Sequence, residues 1–229
     1  RPPMKRLLPF LVLACALSTV RSQERDDIEI VESIPLETVL DNPGIRNTRE
    51  VWLEMINGAK ERLDIEQFYI ADAPGGSLEA VLAAIVEAGK RGVIVRILAD
   101  ARMARTYPEP LGALGRQVNI SVRIIDFGKL AGGVQHAKFF IVDRSAIFLG
   151  SQNFDWRALD HIHELGLRIR QRDAVAVYGD VFDLDWQLAE RNDRGLIGSL
   201  LLPRPAQAPF LLVRPGKDTV VLSPTMSPK

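Results

Sequence analysis

Segments with the pattern of strands alternate with segments with the pattern of helices, and this alternation constrains the fold more than any other feature. Residues 93–99 form a nearly continuous apolar strand, which is typical of a strand covered on both faces of a sheet. Before it, apolar residues recur at helical spacing in a segment that Ser77 is expected to cap and Gly92 to end. This order predicts an α/β fold with a mixed β-sheet flanked by helices on both faces.

Other segments extend the pattern along the chain. Asn47 and Glu50 mark a helix start, an N-cap followed by Glu three residues on. Further strands are predicted at residues 63–70, 120–125, 138–142, 146–149 and 165–169, with a weak helix at 111–117 and a long one at 173–191. The early strands are separated by helices, which favours parallel pairing, whereas the later ones are separated by tight turns, which favours antiparallel pairing.

The first residues have the pattern of a targeting segment. A short basic stretch precedes eleven mostly apolar residues, too few to span a bilayer, and Val20 and Ser22 are small enough to flank a cleavage site. Residues 4–22 are therefore predicted to be a signal peptide, and the protein to be secreted or periplasmic. A lipoprotein anchored at Cys15 is the alternative.

The last residues differ in composition from the rest. Residues 203–229 contain six prolines and are predicted to form a linker with one short strand at 219–223. This leaves residues 24–202 as the predicted catalytic domain, and the linker is interpreted as leading toward a missing second half.

Charge and cysteine content exclude several classes of function. Lys and Arg total 29 and Asp and Glu total 29, so a strongly basic surface is not the main attraction for an anionic partner. The single cysteine excludes an internal disulfide and the usual structural zinc site. An anionic substrate must therefore be bound by a local site.

That local site is predicted by the pattern H-x-K-x4-D-x6-G-S-x-N, which begins at His136. His136 and Lys138 are two apart on a predicted strand, so both point to the same face. Ser151 and Asn153 follow the next strand and can lie beside that face. Lys138 and Asn153 offer one charged and one neutral donor to the non-bridging oxygens of a phosphodiester, where they would stabilise a pentacovalent transition state.

The remaining residues are given supporting roles. His136 titrates near neutrality, so it can be a nucleophile or a proton carrier. Glu164 can accept the other imidazole N–H, and Ser151 can support the phosphate or His136. Asp143 is included among the catalytic candidates, although a role in closing a turn is preferred for it.

These residues resemble the hallmark motif of the phospholipase D superfamily of phosphodiesterases. Residues 150–157 and 164–166 are similar to the secreted and lumenal branch, which includes lysosomal exonucleases once classed as phospholipases, and residues 91–98 resemble the strand that leads toward the motif. The resemblance covers most of residues 33–200. It implies a reaction through a phosphohistidine, without a metal or other cofactor.

The chain departs from the family pattern in having one such motif where the chemistry uses two histidines. The other histidines, His161 and His163, lack a Lys two residues on, and no further His is present to complete a metal site with them. Either the chain is the first half of a two-motif enzyme, or it is a single-motif subunit whose homodimer partner supplies the second histidine.

The motif recognises a phosphodiester and not the groups attached to it. Hydrolysis or transfer of a phospholipid phosphodiester is the first expectation, and exonuclease action on single-stranded nucleic acid is the alternative. A non-catalytic module that binds phosphate or lipid is the hypothesis from another class.

Overall fold

A computed structural model describes residues 26–191 and 209–225. The predicted signal peptide and Cys15 lie outside the described residues. The strands are β1 Ile28–Ser33, β2 Arg46–Asn47, β3 Arg62–Gln67, β4 Ile70–Ala71, β5 Ile94–Asp100, β6 Ile120–Ile125, β7 Lys138–Val142, β8 Ala146–Gly150, β9 Phe154–Asp155, β10 Glu164–Ile169, β11 Phe210–Val213 and β12 Thr219–Leu222. The helices are α1 Thr48–Gly58, α2 Leu78–Lys90, α3 Ala101–Thr106, α4 Pro108–Gly115, α5 Phe127–Leu130, α6 Trp156–Asp160 and α7 Arg172–Arg191.

Eight of these strands form one mixed sheet in the order β2-β1-β10-β8-β7-β3-β5-β6. The pairs β3–β5 and β5–β6 are parallel and are connected through helices, whereas β7, β8 and β10 pair antiparallel with their neighbours. The predicted division into early parallel and later antiparallel strands is confirmed.

Helices cover both faces of this sheet, as predicted. Along β7, Phe140 and Val142 face the core formed with α1 and α2, while Phe139 and Ile141 face the core formed with α7. Trp52 of α1 is fully buried in the first core, where its ring centroid lies 4.6 Å from that of Phe154. Among the described residues, no helix combines the length and the apolar character needed to cross a membrane.

Three local predictions differ from the structure. The strand predicted at 63–70 divides after Gln67, because Gln67 is the last residue of β3 with partners on both β5 and β7, and the chain then crosses to pair β4 with β9. Ser77 occupies the N-cap position of α2, as predicted, but its side chain makes no capping bond; its backbone N–H donates to Asp160 at 2.9 Å. Helix α4 begins earlier than predicted because Pro108 occupies its first turn, where a proline costs no hydrogen bond.

The described part of the C-terminal segment contains a hairpin, β11 with β12, where the sequence predicted a single strand. Phe210 and Leu212 point to one side and are buried in the core formed with α7. The backbone N–H of Val213 also donates to the carboxylate of Asp27 at 2.8 Å. Buried and exposed residues alternate along β11, which is typical of a strand with one buried face. The surrounding prolines hid this strand in the sequence.

The turn between β7 and β8 depends on Asp143. Asp143 and Arg144 have φ angles of 49° and 53°, as a two-residue hairpin turn requires. The Asp143 carboxylate accepts hydrogen bonds from the backbone N–H groups of Lys60, Glu61 and Arg62 at 2.8–3.0 Å. It therefore ties the hairpin to the start of β3.

We expect Asp143→Ala to lower the free energy of unfolding by roughly 2–4 kcal/mol, because three amides lose their acceptor and alanine tolerates a positive φ poorly. Asp143→Asn keeps one oxygen and tolerates this backbone, so its loss should be about half as large. Urea unfolding of the two variants measures the difference. Equal stability of Asp143→Ala and the parent chain would contradict this role.

Candidate active site

The carboxyl ends of β3, β5 and β8 meet the amino ends of β7 and β10 at one edge of the sheet. Register places Gln67 opposite Lys138, Phe139 opposite Leu149, and Gly166 opposite Gly150. The turn of the β7–β8 hairpin lies at the opposite edge. Residues from distant parts of the sequence therefore converge around the H-x-K segment, and Asp143 does not.

A cavity of about 530 Å³ opens at this edge, between the sheet and α7. Its polar or charged lining includes Glu66, Gln135, His136, Lys138 and Asp185, and its aromatic lining is Phe127, Phe139 and Tyr178. Its volume is in the range of small-molecule sites. His136 is exposed and Lys138 is half-buried.

His136 and Lys138 lie together, as their spacing predicted. The Lys138 Nζ atom is 3.2 Å from Nε2 and 3.3 Å from Nδ1 of the imidazole, and it donates to the His136 carbonyl oxygen at 3.1 Å. The ring of Phe68 packs edge-on against the imidazole, with centroids 4.5 Å apart, and lies 5.4 Å from Nζ. Phe68 therefore limits the positions open to both side chains.

The electrostatic setting favours a neutral imidazole. Partial burial, and then the charge of Lys138, lower the pKa of His136, while Asp100 opposes them. Burial also lowers the pKa of Lys138, against the charge of Glu164. A neutral imidazole has a free electron pair, which is what a nucleophile needs.

Glu164 lies near enough to Lys138 to interact with its charge, and Ser151 lies beside Glu164. The Ser151 hydroxyl donates to the carbonyl oxygen of Leu165 and accepts from its N–H, both at 3.3 Å. Burial raises the pKa of Glu164, and a hydrogen bond with Ser151 and the charge of Lys138 oppose that shift. The expected bond between Glu164 and His136 is not among the contacts in residues 26–191, so Glu164 acts here on Lys138.

The residue after Asn153 ties this part of the chain to the carboxyl end of β3. The backbone N–H of Phe154 donates to the side-chain oxygen of Gln67 at 3.2 Å, and Gln67 is the register partner of Lys138. The Oδ1 atom of Asn153 is buried, and no hydrogen-bond partner for it occurs in the described part of the chain.

The glycines of the site are required by close approach of β8 and β10. A Cβ atom at Gly150 would lie 2.8 Å from the Gly166 Cα and 2.3 Å from the Gln152 side chain. A Cβ atom at Gly166 would lie 2.3 Å from the ring of Phe148. A larger residue at Gly150 would push β8 and β10 apart next to Ser151, and one at Gly166 would displace the ring of Phe148.

Sequence reasoning missed Gln135, the buried residue before His136. Its backbone N–H donates to Asp100 at 2.9 Å, its side-chain NH₂ donates to Glu66, and its side-chain oxygen accepts from the Ala137 N–H at 3.0 Å. These bonds fix the backbone on both sides of His136. A polar residue beside a motif histidine was the only sequence signal for it.

Sequence reasoning also missed a buried carboxyl pair. Glu66 of β3 and Asp185 of α7 are 1% and 9% exposed and lie close enough for the charge of Asp185 to raise the pKa of Glu66. Burial, then the charge of Asp185, raise the pKa of Glu66 well above its usual value, and burial raises the pKa of Asp185 to about 6. Two such groups in contact share a proton.

The remaining histidines are each paired with a glutamate. His161 contacts Glu37, and His163 Nε2 lies 2.9 Å from the buried Glu32. Within the described ranges, no three or more residues of the types that bind metals are grouped as a metal site.

Comparison with known proteins identifies the family. Residues 52–186 match the family model described as cardiolipin synthase, PLD-like domain, which is more than half of the chain. The chain belongs to the phospholipase D superfamily. The predicted resemblance is thereby confirmed.

Relatives of this phospholipase D domain carry different functional names. The chain is 33% identical over 184 residues to phospholipase D Y of Dictyostelium discoideum, covering 76% of the chain and 41% of that protein. It is 36% identical over 173 residues to the 5'-3' exonuclease PLD3 of Bos taurus, covering 70% of the chain and 35% of that protein. The chain thus spans about two fifths of the length of these relatives.

A solved structure shares the fold. The phospholipase D family member Nuc of Salmonella typhimurium superposes with a TM-score of 0.56 at 23% identity, covering 71% of this chain and 95% of that one. The predicted α/β class with a mixed sheet is confirmed. Membership of this superfamily supports phosphodiesterase activity in general. It does not decide between phospholipid and nucleic acid as the substrate.

The buried carboxyl pair makes stability depend on pH. Carboxyls whose folded pKa is raised hold a proton that the unfolded chain releases near pH 4. We therefore expect the free energy of unfolding to fall as pH rises from about 4 to above 6, by roughly 1–3 kcal/mol for this pair. Urea unfolding at pH 5.0 and 7.5 measures the fall.

Asp185→Asn should reduce that fall, because an amide can bond to Glu66 without ionising. Asp180→Asn is the matched control, since Asp180 is an exposed carboxylate on the same helix. An unchanged pH dependence in Asp185→Asn would show that the pair does not titrate in this range.

Proposed function

We propose that this domain supplies one half of the active site of a phospholipid phosphodiesterase that acts through a phosphohistidine at His136. The observation that carries the proposal is the position of the Lys138 ammonium group, 3.2 Å from the His136 imidazole at a cavity beside the sheet edge. A nucleophile and a fixed cation in contact are suited to attack on an anionic phosphorus centre.

In the proposed reaction, a His136 ring nitrogen attacks phosphorus and the bond from phosphorus to the leaving alcohol oxygen breaks. Lys138 and the side-chain amide of Asn153 bind the non-bridging oxygens, where negative charge increases. Water then attacks the phosphohistidine and releases His136 and the phosphomonoester; a second alcohol in place of water gives transfer. Ser151 and Glu164 support Lys138 from the other side.

The departing alcohol needs a proton, and the motif contains one histidine. We propose that a second H-x-K motif supplies it, either from the remaining length of a longer protein or from a second copy of this chain. The length of the relatives, more than twice that of the matched segment, supports the first source. A signal peptide at residues 4–22 and export to a secreted or periplasmic location belong to the same proposal, on sequence pattern alone.

Exonuclease action on single-stranded nucleic acid is the second candidate. It is supported by the 36% identity to a protein named as a 5'-3' exonuclease. The same His136 and Lys138 would serve either substrate, so the choice depends on the groups around them.

The covalent step is testable with bis(p-nitrophenyl) phosphate, whose acidic phenol leaves without a proton donor. The 229-residue chain should release about one p-nitrophenolate per chain and gain the mass of the p-nitrophenyl phosphoryl group. His136→Ala should abolish both, and Lys138→Met should slow the release by a factor of about 10²–10³ because the developing charge loses its cation.

His161→Ala is the matched control and should behave as the parent chain does. An adduct on a residue other than His136, or an undiminished release by His136→Ala, would overturn the proposed mechanism. Stable binding without any release would instead indicate a non-catalytic phosphate-binding module.

A further inference from the structure

A second cavity lies between α2 and α4, and residues of these two helices and of the loop at 71–74 line it. It encloses about 490 Å³, which is in the range of small-molecule sites. This α2–α4 groove has no lining residue in common with the cavity at His136. A ligand that binds in it therefore does not depend on the proposed phosphodiesterase chemistry.

The floor of the α2–α4 groove is apolar. Leu82, Ala83 and Val86 line it from α2, and Ala113 and Leu114 line it from α4. Residues three and four apart on a helix lie on one face, so each helix presents a continuous apolar strip. Leu82 and Val86 are only partly buried, and Ala83 and Ala113 are exposed, so this strip is open to a ligand.

Acidic side chains stand at one end of the α2–α4 groove. Glu79 and Glu109 lie in the first turns of α2 and α4, and Asp72 lies in the loop before α2. Helix α2 connects β3 to β5, and α4 connects β5 to β6, which are parallel strands, so both helices run in the same direction. Their amino ends therefore lie at the same edge of the sheet, and the groove is acidic at that end and apolar along the rest.

No cationic group in the wall of the groove balances these carboxylates. Within the described ranges, the lining contains three acidic residues and no Lys, Arg or His. The helix dipole stabilises an acidic residue in a first turn, which accounts for Glu79 and Glu109 but not for Asp72. Burial and the charge of Glu79 raise the pKa of Asp72, against a hydrogen bond from the backbone N–H of Ala73. A bound cation would relieve this repulsion.

An aromatic ring stands at the acidic end. Tyr107, the residue before α4, lines the groove, and its ring stacks on that of Tyr69 with the centroids 5.2 Å apart. This stacking limits the positions open to the Tyr107 ring. Aromatic faces and carboxylates together attract alkylammonium groups.

We propose that the α2–α4 groove binds an amphipathic organic cation, with its ammonium group at Asp72, Glu79 and Tyr107 and its aliphatic chain along the apolar floor. The charge pattern selects this class of ligand. A fatty acid would place its carboxylate against the acidic residues, and a neutral alcohol would gain no attraction from them. This site is additional to the proposed function and does not rest on it.

The test compares ligands that have the same octyl chain and differ in charge. Isothermal titration calorimetry of the 229-residue chain at pH 7.5 measures binding of octyltrimethylammonium, 1-octanol and octanoate below the concentrations at which they form micelles. Octyltrimethylammonium should bind at a single site and at least about tenfold more tightly than octanoate, with 1-octanol between them.

Variants separate the charged end from the apolar floor. Asp72→Asn combined with Glu79→Gln should lower the affinity for octyltrimethylammonium about tenfold and leave that for 1-octanol unchanged, because only charge is lost. Ala83→Phe should abolish binding of both ligands, because its ring fills the floor. Glu87→Gln is the matched control, since Glu87 is an exposed carboxylate of α2 outside the groove lining, and it should bind as the parent chain does. Thermal unfolding of each variant shows that it is folded.

The outcomes distinguish this site from the proposed function. Equal binding of the three ligands, or an unchanged affinity in Ala83→Phe, would overturn the cation site. Loss of octyltrimethylammonium binding in His136→Ala would place the ligand in the other cavity and would also overturn it. Failure of the proposed function gives a different result: the parent chain would release no p-nitrophenolate from bis(p-nitrophenyl) phosphate, while its binding of octyltrimethylammonium would be unaffected.

Discussion

The arrangement of the site depends on the hydrogen bonds made by Gln135. This one buried residue connects the H-x-K segment to β5 through Asp100 and to β3 through Glu66. Its side-chain oxygen also accepts a hydrogen bond from the Ala137 N–H. The backbone around His136 has no sheet partner of its own, since β7 begins only at Lys138. The sheet therefore positions a segment that lies just outside it, and these bonds fix the backbone on both sides of His136.

This attachment has an energetic consequence. Glu66 accepts from Gln135, and its pKa is raised by burial and by the nearby charge of Asp185, so the group that holds the motif is itself part of a buried acidic pair. An apolar pair at these positions would pack without a desolvation penalty.

The sequence reveals features that depend on local spacing and hides those that depend on topology. His136 with Lys138 and the alternation of strands and helices were predictable, because strand geometry alone places i and i+2 side chains together. Asp143 was readable as a turn residue, but its three amide partners lie more than 80 positions away. Ser77 fitted the N-cap pattern, yet the Asp160 side chain from α6 accepts a hydrogen bond from its backbone N–H.

Glu66 and Asp185 lie on different elements, and only the packing of α7 across the sheet brings them together. Glu164 was predicted to contact His136, but the register of β10 against β8 places it near Lys138 instead.

Net charge gives no guide to substrate here, because the chain has as many acidic as basic residues. A cation at the phosphate position attracts any phosphodiester, lipid or nucleic acid, so it supplies the chemistry without discrimination. Discrimination has to come from groups farther along the substrate, where the two classes differ in the sign of their charge. One motif can therefore serve relatives with different functional names, because residues outside the motif determine which phosphodiester is bound.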